Sequence, residues 1–134
     1  MKAVFDTNVL LAAFLTEGIC TKLLTRARKK QFQLFISPDI LREFDRVLSK
    51  KFLSSAQQIR EAHQIILEAA HLVEPPSSPV KGVCRDPDDD RILSCAVAAK
   101  ADYLVSGDSD LLELQEFQGI KMFSPRAFEM LFED

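Results

Sequence analysis

The sequence predicts an α/β fold, a three-layer α/β/α sandwich around a central parallel sheet of about five strands, and three observations lead to it. Short apolar, β-favouring runs alternate with longer segments whose apolar residues recur every three or four positions. The first of those runs, Ala3-Val4-Phe5, is apolar throughout, as suits a strand covered on both faces. Acids or serines follow the strands, at Asp6, Ser37 and Ser106, where the chain would pass into its next helix. A length of 134 residues with 47% apolar content suits one core, so a single domain spanning 1–134 is expected.

After Asp6, residues 9–14 continue as a helix until Glu17-Gly18 interrupts it. Ile19, Leu23, Leu24 and Ala27 then recur at helical spacing up to the basic cluster Arg28 to Lys30. Phe32, Leu34, Phe35 and Ile36 form a second strand, ended by Ser37-Pro38, an N-cap followed by proline at the first helical position. That helix carries Ile40, Leu41, Phe44, Val47 and Leu48 on one stripe. At about 100° per residue, Glu43 falls about 40° outside the stripe's edge, so it borders the core.

Ser54 or Ser55 opens a further helix with Ala56, Ile59, Ala62, Ile66, Ala69 and Ala70 in register, and Leu72-Val73 is read as a short third strand. Pro75-Pro76-Ser77-Ser78-Pro79 is a rigid surface connection. Asp86-Pro87 starts the next helix, with a cap, an N1 proline and acids in the first turn. Tyr103-Leu104-Val105 is a strand, Asp110 a cap for a short helix over 111–114, residues 120–123 a last strand, and Ser124-Pro125 the start of a final helix with Phe128, Leu131 and Phe132 on one side.

Composition narrows the function. The cysteines, Cys20, Cys84 and Cys95, are odd in number with no CxxC pair, which excludes a structural zinc of the usual spacing and points to a reduced, cytoplasmic setting. His63 and His71 belong to no ligand motif and are read as surface or packing residues. No run is long enough to span a bilayer, so no membrane partner is expected. Net charge is −3, unevenly placed: residues 22–51 hold nine Lys/Arg against three acids, residues 101–134 two against eight. A polyanion would meet the first block, although cations at helix C-termini account for part of it.

The acids carry the chemistry. Capping alone explains Asp86, Asp88 and Asp89. Asp90 shares a helical face with Leu93 and Val97, a face expected to be buried, where a carboxylate is costly unless paired or metal-bound. In a parallel sheet Asp6, Glu43, Asp90 and Asp108 would lie near one edge, the edge where ligands bind in open α/β sheets. Carboxylates gathered there repel one another unless a cation compensates, and oxygen ligands favour Mg2+ or Mn2+ over zinc. Such ions commonly serve phosphoryl chemistry. Arg42, Arg46, Arg85 and Arg91 are the cations placed to hold a phosphate backbone against that acidic site.

Val4-Phe5-Asp6-Thr7-Asn8-Val9-Leu10, the lone Glu43, Asp90 heading a helix, and Ser106-Gly107-Asp108-Ser109-Asp110-Leu111-Leu112 together resemble the PIN-domain ribonucleases, most closely the small prokaryotic members that are toxins of toxin–antitoxin pairs. The resemblance spans the whole chain. It implies a Mg2+- or Mn2+-dependent endoribonuclease whose four acids are Asp6, Glu43, Asp90 and Asp108, with Asn8 and Ser106 supporting them and Asp110 as an accessory acid. It also implies an RNA substrate, a cognate antitoxin protein and a homodimer or higher homo-oligomer. The crowded run Asp86-Pro87-Asp88-Asp89-Asp90 departs from the pattern and leaves Asp89 or Asp86 as a substitute for Asp90. Two rival readings remain: a non-catalytic RNA-binding or protein-interaction module on the same fold, and a phospho-accepting receiver. The receiver would require paired acids after the first strand, where only Asp6 stands.

Overall fold

The computed structural model describes residues 1–133. Its sheet has the strand order β3-β2-β1-β4-β6-β5. The strands are β1 (Lys2–Phe5), β2 (Gln33–Ile36), β3 (Ala70–Leu72), β4 (Tyr103–Val105), β5 (Glu116–Phe117) and β6 (Ile120–Phe123). Every pairing is parallel except β5 with β6. The helices are α1 (Thr7–Leu15), α2 (Ile19–Arg28), α3 (Pro38–Lys50), α4 (Ala56–Ala69), α5 (Pro87–Ala99), α6 (Ser109–Leu114) and α7 (Pro125–Glu129). Among the described residues no single helix is long and apolar enough to cross a membrane.

The five parallel strands are those expected, and the sixth is an addition. Gln118 and Gly119 both take positive φ, 51° and 83°, the requirement of a two-residue hairpin of the primed kind, so Glu116–Phe117 folds back on β6. Several boundaries move. Phe32 precedes β2 yet is buried, and β3 starts at Ala70 because Ala70 is already extended where α4 ends. Ser55 makes a full capping box with Gln58. The α6 cap is Asp108 and not Asp110: Asp108 keeps extended dihedrals after Gly107, and its Oδ1 accepts the Asp110 N–H at 2.7 Å. The last helix stops at Glu129, while Phe132 beyond it still packs on the core.

β1 and β4 lie in mid-sheet and are buried beyond their first residues, Lys2 and Tyr103, with Val4 opposite Phe35 on one side and Leu104 on the other. From β1 the chain builds outward through β2 to β3, then returns across the sheet to β4. The strand order therefore reverses between β1 and β4. That junction is the topological switch point, and the crevice it opens lies at the carboxyl ends of the strands.

Candidate active site

Asp6 stands at the switch point. Its N–H donates to the Val105 carbonyl at 3.1 Å, so β1 ends in register with β4, and its carboxylate turns back to cap α1. Oδ1 accepts the Val9 N–H at 2.8 Å, and Oδ2 accepts the Ser106 hydroxyl. Ser106, fully buried, in turn accepts the Asp108 N–H at 2.9 Å, tying the ends of β1 and β4 into one hydrogen-bonded unit. Capping and site-building are thus the same geometry. Burial raises the Asp6 carboxyl above its usual range, outweighing the two hydrogen bonds that lower it, and the charges of Asp108 and Glu43 raise it further.

Glu43 approaches from α3. The Thr7 hydroxyl donates to its Oε2 at 3.1 Å, and Arg46 stands 4.0 Å from its Oε1. Asp89 supplies the remaining acid. It is buried, and its carboxyl is pushed up to about 6 by burial first, then by Asp108, Asp86, Asp6 and Asp110. No ion pair compensates Asp6, Asp89 or Asp108 among the described residues.

Asp90 does not join this group. It is buried as expected, but Oδ2 accepts the Gly82 N–H at 3.0 Å and Oδ1 the Cys84 N–H at 2.8 Å, which commits it to the loop before α5. One residue along a helix is a turn of about 100°, so when Asp90 faces that loop its neighbour Asp89 faces the acids. Asp86 is the exposed cap of α5, accepting the Asp88 N–H. Asp110 sits at the rim, where Arg85 donates to its Oδ1 at 2.5 Å. Asn8 is exposed on the first turn of α1.

Three of the four proposed RNA-facing arginines are engaged with acids on their own helix: Arg42 with Asp39, Arg46 with Glu43, and Arg91 with Asp88. Side chains more than half exposed in such pairs contribute little stability, which leaves the guanidinium groups available to phosphate. Arg42, Arg46, Arg91 and Glu43 line a cleft of about 220 Å³ between α3 and α5. Thr7 and Cys20 escaped the sequence reading. Thr7 directly follows Asp6 at the first helical position, a hydroxyl whose placement was readable; Cys20, close enough for the Asp6 charge to help burial hold its thiol up, carried no signal.

Among the described residues no three Asp, Glu, His or Cys side chains stand close enough together to enclose a metal ion. The acids themselves suit magnesium or manganese better than zinc by their chemistry. Magnesium keeps several waters and takes only one or two carboxylates, whereas a structural zinc is enclosed by four protein ligands. The donor set is all carboxylate oxygen, and the uncompensated charge at Asp6, Asp89 and Asp108 is what a divalent cation relieves.

The model of the PIN-domain family matches residues 2–110, from β1 into the first turn of α6. The uncharacterized protein MJ1680 of Methanocaldococcus jannaschii is 30% identical over 121 residues, covering 87% of this chain and 76% of that protein. Among solved structures, the crystal structure of VapBC2 from Rickettsia felis bound to a DNA fragment from their promoter contains a similar chain. The superposition has a TM-score of 0.69 at 19% identity and covers 92% of this chain and 98% of the other, a likeness of fold.

Proposed function

The chain belongs to the PIN-domain family, and from that premise we propose that it is a metal-dependent endoribonuclease, a single nuclease domain over 1–134 that hydrolyses RNA phosphodiester bonds as the toxin of a toxin–antitoxin pair. The observation that carries the reading is the gathering of Asp6, Asp89 and Asp108 at the switch point without an ion-pair partner among the described residues, with Glu43 beside Asp6. Mg2+ or Mn2+ would be held by one or two of Asp6, Asp89 and Asp108 directly and by the others through its waters, with Glu43 as a further water-mediated ligand or a group that orients water. The bound ion lowers the pKa of a water and screens the phosphate oxygens.

The chain's own residues do the rest. Ser106 and the Val9 amide fix the Asp6 carboxylate in one orientation, and Thr7 does the same for Glu43. Asp89, whose carboxyl is pushed up to about 6 without metal, would be brought down by the charge of a bound cation and so present it a carboxylate near neutral pH. Arg42, Arg46, Arg85 and Arg91 position the phosphate backbone without reading bases. A cognate antitoxin, self-association and a cytoplasmic setting complete the proposal, supported by the family and by the VapBC2 likeness in fold.

The test is cleavage of a mixed RNA pool by purified protein. Cleavage is expected with manganese or magnesium, not with chelator, and not by Asp6→Asn. Equal cleavage by wild type and Asp6→Asn from the same preparation identifies a contaminating nuclease and removes the reading. RNA binding without cleavage in any divalent metal favours instead a non-catalytic RNA-binding module, the reading to which the lack of a three-ligand cluster lends support.

A further inference from the structure

Beside the acids lies a larger cavity of about 820 Å³, within the size range of small-molecule sites. It is bounded by residues 73–86, which connect β3 to α5 without helix or strand, and by α5 itself. Connections of that length inside a small domain are uncommon and usually functional. This one is held in place. Three prolines, Pro75, Pro76 and Pro79, limit its backbone, and two buried side chains of α5 are spent on it. Ser94 Oγ accepts the Val80 N–H at 2.8 Å, while both carboxylate oxygens of Asp90 accept the Gly82 and Cys84 amides. Gly82, at φ 70°, allows the turn between those bonds. The cavity is therefore preformed, which lowers the ordering cost of filling it.

We propose that this cavity is a nucleobase subsite, taking one unstacked base of a single-stranded RNA whose backbone crosses the acidic site; the proposal rests on the ribonuclease reading. The lining is mainly apolar, with buried Cys95, half-buried Cys84 and Val80 and several proline rings beside the polar Ser94 and Asp90 that bond the loop, a surface that accepts the flat face of any base. Its exposed cations are Lys81, Arg85 and Arg91, a rim suited to phosphate. It is also continuous with the site on two sides. Arg85 bonds Asp110 beside Asp89, and Arg91 and Asp39 line both this cavity and the cleft that holds Glu43. A strand held by Arg42 and Arg46 past Glu43 meets the cavity next. An acidic peptide would share the rim but has no use for the apolar lining. The cavity would then add affinity for a base near the cleaved bond without selecting among bases, since the arginines bind only phosphate.

The test separates base from backbone without requiring cleavage. The full-length protein, 15N-labelled and in chelator, is titrated with a single-stranded RNA hexamer of mixed sequence and with an abasic ribose-phosphate oligomer of equal length. The RNA should shift the Lys81, Gly82 and Cys84 amides and bind about tenfold tighter or more, the value of one stacked base. Cys84→Leu, which changes the surface the base would lie on, should weaken RNA binding and leave abasic binding unchanged. Equal affinity of wild type for the two oligomers overturns the proposal, and that comparison needs no variant. So do shifts that grow with protein concentration in the absence of RNA, which assign the cavity to a second copy, and equal binding of a glutamate hexapeptide. The two readings fail separately. Preference for RNA over the abasic oligomer without cleavage in any metal retains the subsite and sinks the nuclease; cleavage with no such preference does the reverse.

Discussion

At the amino edge of the sheet, Arg26 is buried just before β2, and Glu129 at the end of α7 receives it through both carboxylate oxygens, at 2.6 to 3.2 Å. Gln31 takes a further guanidinium hydrogen at 2.7 Å, the Phe132 ring lies 4.5 Å from the guanidinium carbon, and exposed Lys22 adds a second cation 3.2 Å from Glu129. Rings of Phe5, Phe32 and Phe128 pack nearby, with centroids 5.1 to 6.2 Å apart. At the carboxyl edge, Asp6 and Asp89 are just as buried, yet each is surrounded by charge of its own sign. One edge completes its electrostatics within the chain. The other leaves that completion to whatever binds, and its folded state is less stable for it.

The two edges should therefore answer pH in opposite senses. Hydrogen bonds from Arg26 lower the Glu129 carboxyl below its ordinary 4.5, so its stabilisation is present above that value and lost as pH falls through the folded pKa. Asp89 is raised from 3.8 to about 6, so the folded state keeps a proton that the unfolded chain releases. Stability from that group is complete below about pH 4 and is lost as pH rises through about 6.

Breaking the amino edge should have the largest effect. Arg26→Ala leaves a carboxylate beside an emptied, buried site and is expected to cost about 3–5 kcal/mol in urea unfolding. A loss below about 1 kcal/mol would mean the pair is incidental and would dissolve the contrast between the edges. Second comes Asp90→Asn, which removes a charged acceptor from two loop amides and is expected to cost about 2–3 kcal/mol.

Asp89→Asn, one residue away, should move the other way. It removes a charge disfavoured first by burial and then by the neighbouring acids, and is expected to gain about 1–2 kcal/mol at pH 7 in chelator, after solvent screening. The gain should vanish below about pH 4, while cleavage is lost and manganese stabilises the variant less than wild type. Thermal melts of both asparagine variants across pH 4–8 decide the matter, and melts of the same sign would return Asp89 to the role of a cap. The smallest stability effect belongs to Arg42→Ala/Arg46→Ala, within about 0.5 kcal/mol because both side chains are exposed. It should nevertheless lower the salt dependence of RNA binding by about two counterions, and an unchanged slope would make these arginines ordinary surface residues.

The frame was legible in the sequence because each part has a local cause. Ser37-Pro38, Asp86-Pro87 and Ser124-Pro125 start helices through their own caps, and the apolar residues at 3–5 and 104–105 are buried as their composition requires. Asp6 and Asp108 were readable as acids near the edge because each follows a strand, which places it at the carboxyl end whatever the packing. Glu43 was readable from its helical phase at the border of the α3 stripe.

What the sequence could not decide was phase within α5. Asp89 and Asp90 are chemically identical neighbours, both buried, and a stripe argument selects Asp90 for burial without saying what it would face. Only the loop at 80–84, folding back onto α5 with unsatisfied amides to offer, commits Asp90 to itself and leaves Asp89 for the acids. Arg26 was hidden for the same reason: within a basic block it reads as one more exposed cation, until α7, more than a hundred residues later, brings Glu129 to it. Caps and strand ends are set by the nearest few residues and survive in the sequence. The partner of a buried charge is set by long-range packing, and only the tertiary structure supplies it.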